Sequence, residues 1–152
     1  MKRIGVTSLV LLTLVLSACG GGSSTSAPKS INGFWTADLQ NPDGSHALVF
    51  NANLAQGSGA ALTISNFAIM SPSPCFVSTT SQSGTFTATG NSGGFQTGPF
   101  TMTVSTILDT EVENVATLTG TRDSNGRISG NWTLTGFAGC NSGGTFLMTL
   151  PQ

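Results

Sequence analysis

The sequence predicts an all-β fold: an antiparallel meander of eight or nine strands, closed into a barrel in preference to a two-sheet sandwich. Three observations carry this. Apolar residues recur at every second position in short runs, the period of a strand with one buried face. Clusters of Gly, Asn, Asp, Ser and Pro punctuate those runs roughly every 8–15 residues, as turns do in an all-β domain. Gly, Ser, Thr and Asn make up close to half of the 152 residues, while nine Phe and two Trp supply bulk for a core. Disorder goes with few aromatics and high net charge, and neither holds here. Short successive turns favour a meander, and closing it removes edges that would otherwise pair with other chains.

Residues 1–18 have the layout of an export signal. Met1, Lys2 and Arg3 form a short positive start, residues 4–16 are rich in Leu and Val, and small Ser17 and Ala18 follow. The apolar stretch falls short of the ~20 residues that cross a bilayer. Leu16-Ser17-Ala18-Cys19 resembles the lipobox of bacterial lipoproteins. That resemblance implies a lipidated Cys19: a diacylglyceryl group on its thiol, cleavage just before it, and acylation, typically with palmitate, of the new amino group. It also implies a lipid-anchored protein of the cell envelope. Gly20, where an Asp would favour inner-membrane retention, points to the outer membrane in a cell that has one. Residues 19–30 carry no apolar side chain larger than Ala27 and Pro28 and read as a flexible tether.

Residues 31–152 form one β-domain, large enough for a modest core. Without the signal, Lys29, Arg122 and Arg127 face Asp38, Asp43, Asp109, Glu111, Glu113 and Asp123. So sparse and slightly acidic a chain lacks the basic footprint of a nucleic-acid binder. With Cys19 assigned to lipid, Cys75 and Cys140 remain, and an even pair in an exported chain predicts a disulfide. Closing so long a loop stabilises by roughly 4 kcal/mol in the chain-entropy view.

The strands follow in order. Ile31, Gly33, Trp35, Ala37 and Leu39 share one face, ahead of the turn Asn41-Pro42-Asp43-Gly44. Leu48, Phe50, Ala52 and Leu54 line the next. Leu62 and Ile64, then Phe67 and Ile69, break parity at Ser65-Asn66, which predicts a bulge or bend. A proline-containing loop leads to a short strand over 75–79, and another covers 84–89. Phe100, Met102 and Val104 alternate with Thr101, Thr103 and Ser105. An acidic loop carrying Asp109, Glu111 and Glu113 leads to a strand over 115–121, and Asp123-Ser124-Asn125-Gly126 signals a hairpin. Ile128, Gly130, Trp132 and Leu134 line the next strand, and Phe146, Met148 and Leu150 the last. Gly33-Phe34-Trp35 is similar to the Gly-x-Trp that opens lipocalin and avidin barrels, where the Trp helps to close one end. The resemblance implies a barrel and no particular ligand.

Candidate sites are few. His46 is the single histidine, and as it follows a turn with no Asp or Cys at motif spacing it reads as a solvated turn residue. Asp109, Glu111 and Glu113 alternate, so an extended segment would align them for a cation or for glycoside hydrolysis; the reading adopted is a solvated acidic loop. Asp123-Ser124-Asn125-Gly126 begins like a calcium loop but lacks the remaining ligands. Thr-x-Thr pairs are the ordinary outward residues of a solvated sheet, and Trp35 and Trp132 fall on core faces. No cofactor, metal or catalytic group is expected. The expected function is a non-enzymatic binding or structural module, with an envelope protein or glycan as partner. The alternative is a carrier of a small hydrophobic ligand in a calycin-like barrel.

Overall fold

The computed structural model describes residues 29–71, 73–76, 80–108, 111–137 and 139–151. Its strands are β1 (Gly33–Gln40), β2 (His46–Gln56), β3 (Leu62–Ile69), β4 (Thr80–Phe86), β5 (Gly90–Ser92), β6 (Phe95–Leu108), β7 (Glu111–Arg122), β8 (Ile128–Thr135) and β9 (Ser142–Thr149). No helix occurs among the described residues. The strands run β3-β2-β1-β9-β8-β7-β6-β4, every pair antiparallel, with β5 on β6. β4 and β5 pair with successive stretches of β6, so together they fill one strand position. The amides of Thr87 and Thr89 continue the ladder between them, donating to Pro99 O (3.1 Å) and Thr97 O (2.8 Å). Eight positions result. The last seam, between β3 and β4, closes at one end through the Ala61–Thr85 bridge and a 2.7 Å bond from Phe86 N to Ala60 O. The fold is thus the expected all-β meander, an antiparallel sheet nearly closed into a barrel.

An even number of antiparallel strands sorts the connections onto two ends. The described chain enters at one end, which also carries the β2–β3, β5–β6 and β7–β8 turns and the close of β9. The far end carries the β1–β2, β3–β4, β6–β7 and β8–β9 connections.

Alternation decides what goes inside. Trp35, Phe50, Phe86, Phe100, Met102, Leu118 and Met148 are at most 1% exposed and fill the barrel. Each such burial contributes about 1.5–3 kcal/mol before ordering costs. The parity break in β3 is a bulge: Asn53 faces Ser65 but Asn51 faces Ala68, and Asn66 takes φ 51°. The extra residue keeps Leu62 and Phe67 on the core side of one strand. The outer wall of β6 to β9 is built from hydroxyls and amides, with Thr101, Thr119, Asn131 and Thr145 in one cross-strand row and Thr103, Thr117 and Thr133 in the next. Apolar-in and polar-out is the inverse of a membrane-spanning barrel.

Two hairpins share one turn chemistry. In 41–45 and 123–127 the first amide donates to the carbonyl four residues on (2.8 Å in both). The fourth residue, Gly44 or Gly126, sits at φ 83° or 79°, a left-handed conformation that glycine adopts without a Cβ penalty.

Three expectations need correction. No strand starts at Cys75: Pro74 and Cys75 form a turn, and the described strand starts at Thr80. Cys75 O is held by side chains instead of a ladder, accepting from Asn114 Nδ2 (2.7 Å) and Thr106 Oγ1 (3.4 Å). Glu111 and Glu113 lie within β7, not in a loop before it, because β6 runs on to Leu108, which pairs with Glu111, and Glu113 is the bulged residue between Val112 and Asn114. The segment 84–89 is the end of β4 and the break after it.

Candidate functional site

At the far end Cys75 and Phe76, from the β3–β4 connection, are buried and join the core. Cys75 is disulfide-bonded to Cys140, with Cα atoms 5.6 Å apart, so this connection is joined to the β8–β9 connection. Asn114, 6% exposed on β7, sits between the two. Its Nδ2 donates to Cys75 O, and its Oδ1 accepts from Phe137 N at 3.2 Å. A buried amide with both ends used costs little and ties two connections to β7 at once. Sequence reading missed Asn114 and Thr106, although both continue the inward parity of Ala116 and Val104. At this end Met70, Val112 and Phe137 are exposed, by 59%, 59% and 61%. A groove of about 680 Å³ runs beside Met70, floored by Ile69, Pro74 and Phe76.

The entry end is closed differently. Arg122 on β7 is fully buried, its guanidinium 5.5 Å from the Trp35 ring and 5.4 Å from that of Phe95. Its Nη1 donates to Lys29 O (3.2 Å) and its Nε to Gly126 O (3.4 Å). Burial pulls the Arg122 pKa below its ordinary value, while the adjacent Asp123 carboxylate opposes that shift. Trp35 Nε1 donates to Ile31 O at 2.8 Å, and Ile31 is fully buried. Trp35 therefore helps to close this end of the barrel. The charge balance of the sequence does not show that Arg122 is buried; its inward parity with Leu118 is the available signal.

His46 has a partner that sequence spacing did not reveal. Pairing of β1 with β2 brings Asp38 to it, and His46 Nδ1 lies 2.7 Å from Asp38 Oδ1. Gln40 Nε2 donates to the other Asp38 oxygen at 3.1 Å. The His46 side chain is 67% exposed, so solvent screens the pair. Among the described residues no hydroxyl is bonded to the ring. Asp123 serves its turn: its Oδ1 accepts from the Asn125 and Arg127 amides, both at 2.9 Å. Partial burial works to raise the Asp123 pKa, but those amides and Arg127 outweigh it and hold it below the ordinary value. Asp43 is likewise lowered, by the Ser45 hydroxyl first and the Ser45 amide second.

Trp132 donates from Nε1 to Gln40 O at 3.0 Å, beneath an outer-wall groove of about 540 Å³ that Asn131 and Gly144 also line. Among the described residues no group of three His, Cys, Asp or Glu is placed to hold a metal ion. Cys19, the lipid-acceptor candidate, and Asp109, the first of the three alternating carboxylates, lie outside the described residues. No family model, curated protein or solved structure matches the chain.

Proposed function

We propose that this chain is a lipid-anchored, non-enzymatic binding module of the cell envelope, held through Cys19 and presenting a solid barrel on a tether. The observation that carries the reading is the run Leu16-Ser17-Ala18-Cys19, placed directly between a signal-like stretch and a Gly/Ser tether. The barrel geometry agrees with it. Inward aromatic and aliphatic side chains occupy the interior, and residues at each end close it. The barrel shape itself speaks for the alternative, a carrier of a small hydrophobic ligand; the occupied interior speaks against that.

Cys19→Ala tests the anchor. The unsubstituted chain is expected to start at Cys19 with a diacylglyceryl mass increment and to sediment with membranes. The variant is expected to lose both. If the Cys19→Ala chain keeps its acylation and its membrane association, the anchor is elsewhere and the reading fails.

A further inference from the structure

We infer that the far end of the barrel is a docking surface for a cationic, apolar segment of a partner protein. Single exposed apolar side chains need no explanation, but several at one end of a domain do. Met70, Val112 and Phe137, all well over half exposed, lie at that end: Met70 follows β3, Val112 stands at the start of β7 and Phe137 follows β8. Their backbones are fixed from beneath. Phe137 N donates to Asn114 Oδ1, Cys140 N donates to Phe137 O (2.8 Å), and Met70 N donates to Val49 O (2.7 Å). The Cys75–Cys140 bond ties the connections carrying Met70 and Phe137, and Val112 lies two residues before Asn114 on β7. A surface held this way needs little ordering when it binds, which is what lets a small patch bind specifically.

Charge selects the partner. Among the described residues Asp38, Asp43, Glu111 and Glu113 lie towards the far end, with Glu111 and Glu113 flanking Val112, and His46 is paired with Asp38. The described cations Lys29, Arg122 and Arg127 all lie at the entry end, beside Asp123. Carboxylates at the same end as exposed apolar side chains complement Lys or Arg interleaved with apolar residues. The same carboxylates repel an anionic lipid surface. That this end faces away from the membrane rests on the anchor reading; the site itself does not.

The test uses the full chain, in phosphatidylcholine nanodiscs, and a short fluorescent peptide alternating Lys and Leu. Its twin carries Glu for Lys. Saturable binding of the Lys peptide alone is expected, weakening as added salt shortens the screening length. Val112→Ser with Phe137→Ser should weaken it about tenfold or more. Glu111→Gln with Glu113→Gln should weaken it less and flatten its salt dependence. These side chains are exposed, so an unchanged melting temperature is expected in both variants and confirms that they fold. Equal binding of the Glu twin, or binding untouched by the apolar pair of substitutions, overturns the inference. So does either of two losses caused by that pair: lost binding to phosphatidylglycerol vesicles, which would make the surface a membrane contact, or lost self-association, which would make it a contact between copies. The mass at Cys19 reads the anchor separately, so the two ideas fail independently.

Discussion

Gly120 and Gly130 face each other across β7 and β8 on the inner side of the barrel. Phe100 and Phe146 occupy the same register on the strands outside them. Their rings meet over this gap, with centroids 6.3 Å apart. A Cβ on Gly130 would lie 2.1 Å from Thr119 O, and one on Gly120 would lie 2.2 Å from Ser129 O and 2.9 Å from Phe146 Cζ. Backbone cannot step aside as a side chain can. Gly130→Ala is therefore expected to cost about 1–3 kcal/mol through overpacking. Gly44 is the contrast: nothing lies within 4 Å of its would-be Cβ, and only its φ of 83° resists substitution, so Gly44→Ala is expected to cost about 1–2 kcal/mol. Urea midpoints of the two variants check this, and equal effects with no structural change would contradict the packing account. The sequence marks both glycines as strand members. It does not mark their pairing, because register depends on residues far along the chain.

At the scale of elements, what was legible depended on how strongly a segment buries one face. Phe100, Met102 and Val104 announce β6, Ile128 and Trp132 announce β8, and the shift from Leu62 to Phe67 announces the bulge. The two Gly-ended turns were readable because φ above zero leaves few residue choices. β4 was read late because Thr80-Ser81-Gln82-Ser83-Gly84 has little apolar content and exposes much of its length. The beginning of β7 reads as a loop in the sequence because Glu111 and Val112 are both exposed at its rim. The disulfide was legible by elimination, yet its neighbourhood was not, since Asn114 reaches Cys75 only in three dimensions. Replacing Cys75 and Cys140 together by Ser is expected to cost about 2–5 kcal/mol. The loss should begin locally: exchange of the Phe137 amide, bonded to Asn114 Oδ1, should quicken before that of the β7–β8 ladder. Uniform exchange across the barrel would show that the bridge does not hold the far end.

For the whole molecule, parity says which side chains point inward but not that β9 returns to β1. That pairing, Thr36 with Thr149 through Gln40 with Thr145, converts a meander into a barrel. It also separates the charges onto two ends, a property no stretch of sequence displays. With the interior occupied, the barrel should take up no fatty acid. Titration of the full chain with a fluorescent fatty acid is expected to give only weak, non-saturating signal that detergent removes. A saturable one-to-one signal would restore the carrier reading, because it requires an interior that opens.

The two tryptophans sit at opposite ends of the barrel, each indole nitrogen committed to a backbone carbonyl, Ile31 O for Trp35 and Gln40 O for Trp132. With Tyr absent from the sequence, they dominate its near-ultraviolet absorption and emission. The chain thus carries two built-in optical gauges: Trp35, stacked on a guanidinium, reports on the end where the described chain enters, and Trp132 reports on the wall leading to the disulfide. Replacing either one by Phe would turn the protein into a single-channel instrument for the other end, so that events at the entry end and events at the distal rim can be timed separately in the same barrel.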